Sequence, residues 1–279
     1  MVYVDYPPFS CSCSFGLVFS KLTAPPPPAP GSTIAIVSPS FPAVAEWPHR
    51  VENGVAYLRS LGFEVKIMPN AGLSTGWTAG TGEQRADDIN QAFADPEVSV
   101  VLAAIGGNHS AQLLPHLDFA LIGSNPKVFQ GYSDITVLHW ALLKNAHVQT
   151  FYGPALVSEL GEHPQVLPYT DRWLRAAWLH SEPLAFEPAE EWTDEFLDWD
   201  EKRDLERPRT LHKGNDLLGS PTLADAPRRI WLASLWPFLD HRRSRQPIEV
   251  DGTPLGAAQQ PASKSPLRSR REARRTSQG

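Results

Sequence analysis

Val98-Ser99-Val100-Val101-Leu102-Ala103-Ala104-Ile105-Gly106-Gly107-Asn108-His109-Ser110-Ala111-Gln112-Leu113-Leu114 is the stretch on which the reading of this chain turns. The run from Val98 to Ile105 is apolar, as a strand covered on both faces must be. It ends in a small-residue turn, Gly106 to Ser110, and Ala111 to Leu114 continues with helical character. A turn of this kind between a buried strand and a helix lifts a serine hydroxyl above the sheet and leaves backbone N–H groups free beside it. Ser110 is therefore a candidate acyl-transfer nucleophile. The competing reading is a glycine turn that cradles an anion.

On either side the pattern alternates. Thr33–Val37 predicts a strand, Glu46–Leu61 a helix, Glu64–Met68 a strand and Gly82–Ala94 a helix, with Thr81 and Gln84 spaced as a capping box. Beyond the central turn, Lys127–Gly131 predicts a strand, Asp134–Asn145 a helix, Val148–Tyr152 a strand and Thr170–Leu179 a helix. Strands separated by helices imply right-handed crossovers, and so an α/β fold of flavodoxin-like type with a parallel sheet and helices on both faces. In such a sheet the loops after the strands open on one edge, where ligands bind. Ser40, Asn108, Tyr132, Ser133 and Tyr152 lie on those loops and are the candidate substrate-binding residues.

Composition bounds the rest. A chain of 279 residues with 42% hydrophobic content buries one sizeable core and a smaller one. Net charge is −6, but residues 241–279 hold nine Arg and Lys against three acids, so the preceding body sits at −12. An acidic body with a basic tail argues against a nucleic-acid partner. Cys11 and Cys13 are too close for an ordinary disulfide and too few for a metal site, so no metal is expected. The leader lacks a basic start and an unbroken apolar core, and no apolar stretch of about 18 residues occurs. The expectation is a cytoplasmic protein with no membrane partner.

The chain divides by composition into a Pro-rich leader (1–31, ending in Pro25 to Pro28), an α/β domain (32–165), a connecting segment (166–212), a partial second domain (213–252) and a disordered basic tail (253–279). Leu232–Leu239 has the apolarity of a strand.

Each polar candidate also has a plainer reading. Serine needs a base, but His109 is its sequence neighbour and adjacent side chains diverge. His116, His139 and His147 fall on or near predicted helices, while His212 and His241 lie where no pattern positions them. Ser133-Asp134 at a predicted helix start suits capping, with a second role near the pocket also open. Tyr132 and Tyr152 suit ordinary packing as well as a pocket lining. The acidic and aromatic run Glu190–Lys202 reads as a solvated or interdomain segment.

Taken in order, Ile34-Ala35-Ile36-Val37-Ser38-Pro39-Ser40, Arg85-Ala86-Asp87-Asp88-Ile89-Asn90, the Gly106–Ser110 turn, Gly131-Tyr132-Ser133-Asp134-Ile135-Thr136 and Phe151-Tyr152-Gly153-Pro154-Ala155-Leu156 resemble the LD-carboxypeptidase family of serine peptidases, in particular its microcin C7 self-immunity branch. The resemblance runs over about residues 33–212. It implies a flavodoxin-like domain bearing the nucleophile, Ser110, with the amides of Gly107 and Ala111 as oxyanion donors, and a second domain supplying a glutamate and a histidine. It also implies amide hydrolysis without a cofactor, on a cell-wall peptide or a peptide-nucleotide conjugate, by a homodimer.

The second domain departs from that pattern. Arg228–Leu239 resembles the family's first strand there, but Leu232-Ala233 stands where the family has glycines, and the segments carrying the glutamate and the histidine are not recognisable. The expectation is a truncated second domain. Loss of the base from a serine triad costs on the order of 10⁴ to 10⁶ in turnover. Two readings therefore stand: a serine hydrolase acting through Ser110, and a pseudoenzyme that keeps the pocket as a ligand-binding module.

Overall fold

The computed structural model describes residues 22–179 and 188–214, together with the backbone of 249–250 and 253–254. Cys11, Cys13, Arg228–Leu239 and His241 lie outside the described residues.

Five parallel strands form the sheet: β1 (Thr33–Val37), β2 (Glu64–Ile67), β3 (Val98–Ala103), β4 (Val128–Gly131) and β5 (Phe151–Tyr152), in the order β2-β1-β3-β4-β5. This is the flavodoxin-like order, in which the chain reverses its direction of travel between β1 and β3. Ile34 to Val37 and Val100 to Ala103 are fully buried, which is why those strands are apolar without alternation.

Two apolar layers cover the sheet. Helix α2 (Pro48–Ser60) and helix α6 (Pro168–Leu179) pack Val51, Leu58, Leu174 and Trp178 on one face with Ile34, Ile36, Val100 and Leu102. Helices α3 (Gly82–Ala94), α4 (Phe119–Ser124) and α5 (Thr136–Ala141) cover the other, with Ile89, Phe93, Ile122 and Leu138 against Ala35, Val101 and Phe129. Each large aliphatic or aromatic side chain so buried stabilises the fold by roughly 1.5–3 kcal/mol before entropy is counted. Leu174 and Trp178 place α6 in the sheet's own core, and Trp178 Nε1 donates to Gln130 Oε1 at 2.7 Å.

Local chemistry sets the boundaries. Thr81 accepts from the Gln84 amide, and the Gln84 side chain accepts from the Thr81 amide, so the capping box predicted for α3 is present. The predicted Glu46–Leu61 helix is instead two helices, α1 (Ala43–Glu46) and α2, because Pro48 has no N–H to continue a helix and sits at the first turn of the next. The predicted Asp134–Asn145 helix divides into a 3₁₀ turn (Ser133–Ile135), α5 and a π turn (Leu142–Ala146) that ends at His147 in the left-handed region. Helix α4, capped by the Asp118 side chain, has no counterpart in the sequence reading because six residues carry too little periodicity.

Residues 188–214 carry a short antiparallel pair, β6 (Glu191–Trp192) with β7 (His212–Lys213). The chain separates into two compact units, Met1–Asp216 and Leu217–Gly279. In the second, β8 (Glu249–Val250) pairs antiparallel with β9 (Thr253–Pro254). Among the described residues no helix is long and apolar enough to cross a membrane.

Candidate active site

The β1/β3 reversal places two loops side by side. The loop after β1 brings Ser40, fully buried, against Gly107 in the turn after β3. Gly107 has φ +147°, and a Cβ there would run into Ser40 Oγ and sit 2.9 Å from the Phe41 nitrogen. Only glycine fits this approach. Ser40 Oγ accepts from the His109 amide at 2.9 Å, and Phe41 N–H donates to the Gly106 carbonyl at 3.1 Å.

The loop after β4 closes over the same turn. Asp134 Oδ2 accepts from the amides of His109 and Ser110, both at 2.9 Å. Ser110, fully buried at the head of a 3₁₀ helix (Ser110–His116), donates its hydroxyl to the Asp134 carbonyl at 2.7 Å. Asp134 does not cap its own helix, as sequence reasoning had it: the 3₁₀ turn there begins at Tyr132 without a side-chain cap. Its neighbour Ser133 has φ +61°, a conformation that costs a non-glycine residue of order 1 kcal/mol, and the absence of a side chain at Gly106 makes room for Ser133 Cβ.

A buried cation holds the turn from the other side. Arg85 of α3 donates to the carbonyls of Thr81, Pro39 (2.5 Å) and His109 (3.2 Å) and to Gln112 Oε1 (2.5 Å). Burial lowers its pKa, and the charge of Asp134 opposes that shift.

Beside this turn, Tyr132 and Tyr152 meet edge to face at 6.2 Å. Tyr132 donates to Glu159 Oε1 at 2.9 Å, and Glu159 Oε2 accepts from the Ala155 amide and the Ser158 hydroxyl. Burial and the Glu159 charge push Tyr132 up to about 12, so it is a neutral hydroxyl at physiological pH. A cavity of about 210 Å³ opens there, lined among others by Tyr132, Glu159, Glu162, Phe196 and Arg209. Below it Arg50, 1% exposed, binds Asp204 Oδ2 at 2.6 Å and the carbonyls of Val157 and Ser158, and lies 4.2 Å from the Trp199 ring. Arg209 makes a two-pronged contact to Glu162. These pairs seat residues 188–214 on the α/β core.

The structure thus gathers Ser40, Gly107 and Ser110 in direct contact with one another's loops, and Tyr132, Ser133 and Tyr152 on the same strand-end edge. Asn108 and Ala111 are exposed on the Ser110 turn. Among the described residues no imidazole accepts the Ser110 proton, and no group of three or more His, Cys, Asp or Glu is placed to hold a metal. His139 is buried with Nε2 donating to the Gly131 carbonyl, and His212 lies against Trp192 at 4.9 Å. Asp134 in its bridging role, Arg85, Glu159 and the Arg50 cluster escaped sequence reasoning, because each acts across tens of residues and leaves no local pattern. For Asp134 one signal existed: an acid in the loop that follows the strand next to β3.

A serine at the head of a helix, at the reversal point of a 2-1-3-4-5 sheet, with glycines beside it, defines a flavodoxin-like domain with a glycine-serine turn at its strand-end edge. Residues 34–153 match the family model of the LD-carboxypeptidase N-terminal domain. The chain is 34% identical over 191 residues to the microcin C7 self-immunity protein MccF of Escherichia coli, covering 68% of this chain and 55% of that protein. It is 35% identical over 144 residues to the "Probable murein peptide carboxypeptidase" of Bacillus subtilis, covering 52% and 44%. A solved structure of microcin C7 self-immunity protein MccF in complex with aspartyl sulfamoyl adenosine superimposes with a TM-score of 0.63 at 34% identity, over 68% of this chain and 57% of that one. The chain spans about half the length of the curated relatives it matches.

Proposed function

We propose that this chain carries the nucleophile half of a serine amide hydrolase of LD-carboxypeptidase type. Ser110 attacks the carbonyl, the amides of Gly107 and Ala111 receive the oxyanion, and Ser40, Asn108, Tyr132, Ser133 and Tyr152 line the substrate edge. The observation that carries this reading is the meeting of the loops after β1, β3 and β4 at Ser110. The His109 and Ser110 amides are taken by Asp134, so the oxyanion falls to other amides of the turn, which in this reading are those of Gly107 and Ala111. The substrate class is a peptide or peptide-nucleotide amide, supported by relatives named for murein peptides and for microcin immunity, one of them solved with an aspartyl nucleoside analogue.

A second reading has its own support. Ser110 donates to a backbone carbonyl rather than to a base among the described residues, which suits a binding module that holds the ligand without turnover. Hydrolysis of an LD-tetrapeptide and of aspartyl sulfamoyl adenosine by the 279-residue chain, each beside Ser110→Ala, separates the two. Turnover abolished by the substitution supports the hydrolase. Binding by calorimetry with no turnover supports the module.

A further inference from the structure

We propose that Asp134 is the positioning residue for Ser110, setting both the turn that presents the serine and the rotamer of its hydroxyl; the inference rests on the reading of Ser110 as the nucleophile. One carboxylate oxygen, Oδ2, takes two consecutive amides, those of His109 and Ser110, and the carbonyl of the same residue takes the Ser110 hydroxyl. Three acceptor contacts from one residue fix the turn's peptide planes and the direction of Oγ together.

Geometry sets this apart from helix capping. The acid reaches back 24 and 25 residues to the β3 turn and leaves its own 3₁₀ start uncapped. The preceding residue, Ser133, adopts the left-handed region, and Gly106 lacks the side chain that would collide with it. Backbone strain of this sort persists where the surroundings over-determine it and clusters at functional sites. Arg85 donates to the His109 carbonyl, so the peptide group between His109 and Ser110 is held by Asp134 at its N–H and by Arg85 at its C=O. A negative group so close to a developing oxyanion would oppose it unless its charge were already committed to donors. Here it is shared between two amides.

The test uses the full chain as wild type, Asp134→Asn and Asp134→Ala. Asparagine can present its carbonyl oxygen where Oδ2 stands, keeping the acceptor and losing the charge; alanine loses both. Two readouts are taken: amide exchange at His109 and Ser110 resolved by NMR, and the rate and affinity of Ser110 labelling by a fluorophosphonate probe. Expected is exchange at Ser110 faster by about tenfold or more in Asp134→Ala and intermediate in Asp134→Asn, with a smaller rise at His109, whose amide keeps Ser40 Oγ, and with the β3 amides unchanged. The maximal labelling rate falls in the same order while the reversible affinity for the probe holds, a split that loss of folded protein would not produce. Wild-type exchange at His109 and Ser110 in Asp134→Ala overturns the proposal, as does an unchanged maximal labelling rate. An unlabelled wild type with raised exchange in Asp134→Ala leaves the clamp standing and counts against the nucleophile reading.

Discussion

Gly107 lies so close against Ser40 that no side chain fits between the loops after β1 and β3 at this point. Gly107→Ala must either push Ser40 aside or distort a backbone at φ +147°. Expected is a loss of about 1–3 kcal/mol in stability together with loss of any Ser110 reactivity. Thermal denaturation checks the first part, where about 1 kcal/mol moves the midpoint by roughly 2–4 °C. A midpoint equal to wild type would mean that the loops part without cost.

Asp204→Ala leaves Arg50 buried with its two carbonyl partners, a Glu162 oxygen at 3.6 Å and the face of Trp199. Removing one member of a buried pair costs about 3–5 kcal/mol in typical cases. The loss should appear as faster limited proteolysis within residues 188–214, with the sheet residues still protected. Unchanged cleavage would show that Trp199 and the Arg209–Glu162 contact hold the segment alone.

Thr81→Ala removes the acceptor of the capping box and should cost about 1 kcal/mol, while Thr81→Ser should be near neutral. Urea unfolding of the three proteins decides this. A serine variant as unstable as the alanine variant would place the contribution in the threonine methyl instead.

His139 is buried against Phe129, with ring centroids 5.5 Å apart, and burial lowers its pKa. In the unfolded chain it titrates near about 6.5. Its neutral form is therefore favoured by folding: the contribution is complete above that pH and is lost as pH falls from there through the lower folded value, with a slope of at most about 1.4 kcal/mol per pH unit. Urea unfolding between pH 5 and 8, beside His139→Gln, should show the wild type losing stability relative to the variant only on the acid side. Parallel curves would remove His139 as the source.

Strands were legible where burial on both faces makes a run apolar: Thr33–Val37 has the predicted bounds, and β3 and β4 end within a residue or two of theirs. The parallel α/β class of flavodoxin-like type followed from the alternation of strands and helices, and the strand order came from the structure. What the chain could not announce is pairing at a distance. Asp134 reads locally as a cap, yet its acceptors serve the turn after another strand. Arg85 and Arg50 lie on predicted helices and carry no local sign of burial, yet both are buried because carbonyls and carboxylates from remote loops meet their donors. The Ser110 turn itself was legible, since glycines, a preceding buried strand and a following helix are all local.

The three loops that meet at Ser110 are drawn from positions 40, 107–110 and 134, and the last follows β4, the strand that pairs with β3. During synthesis the turn therefore emerges from the ribosome well before the residue that completes it. A chain released or halted short of residue 134 has the serine in its sequence but not the acceptors that shape the turn around it. Arming is in that sense a late event of folding, dependent on contacts of long sequence separation, which form slowly.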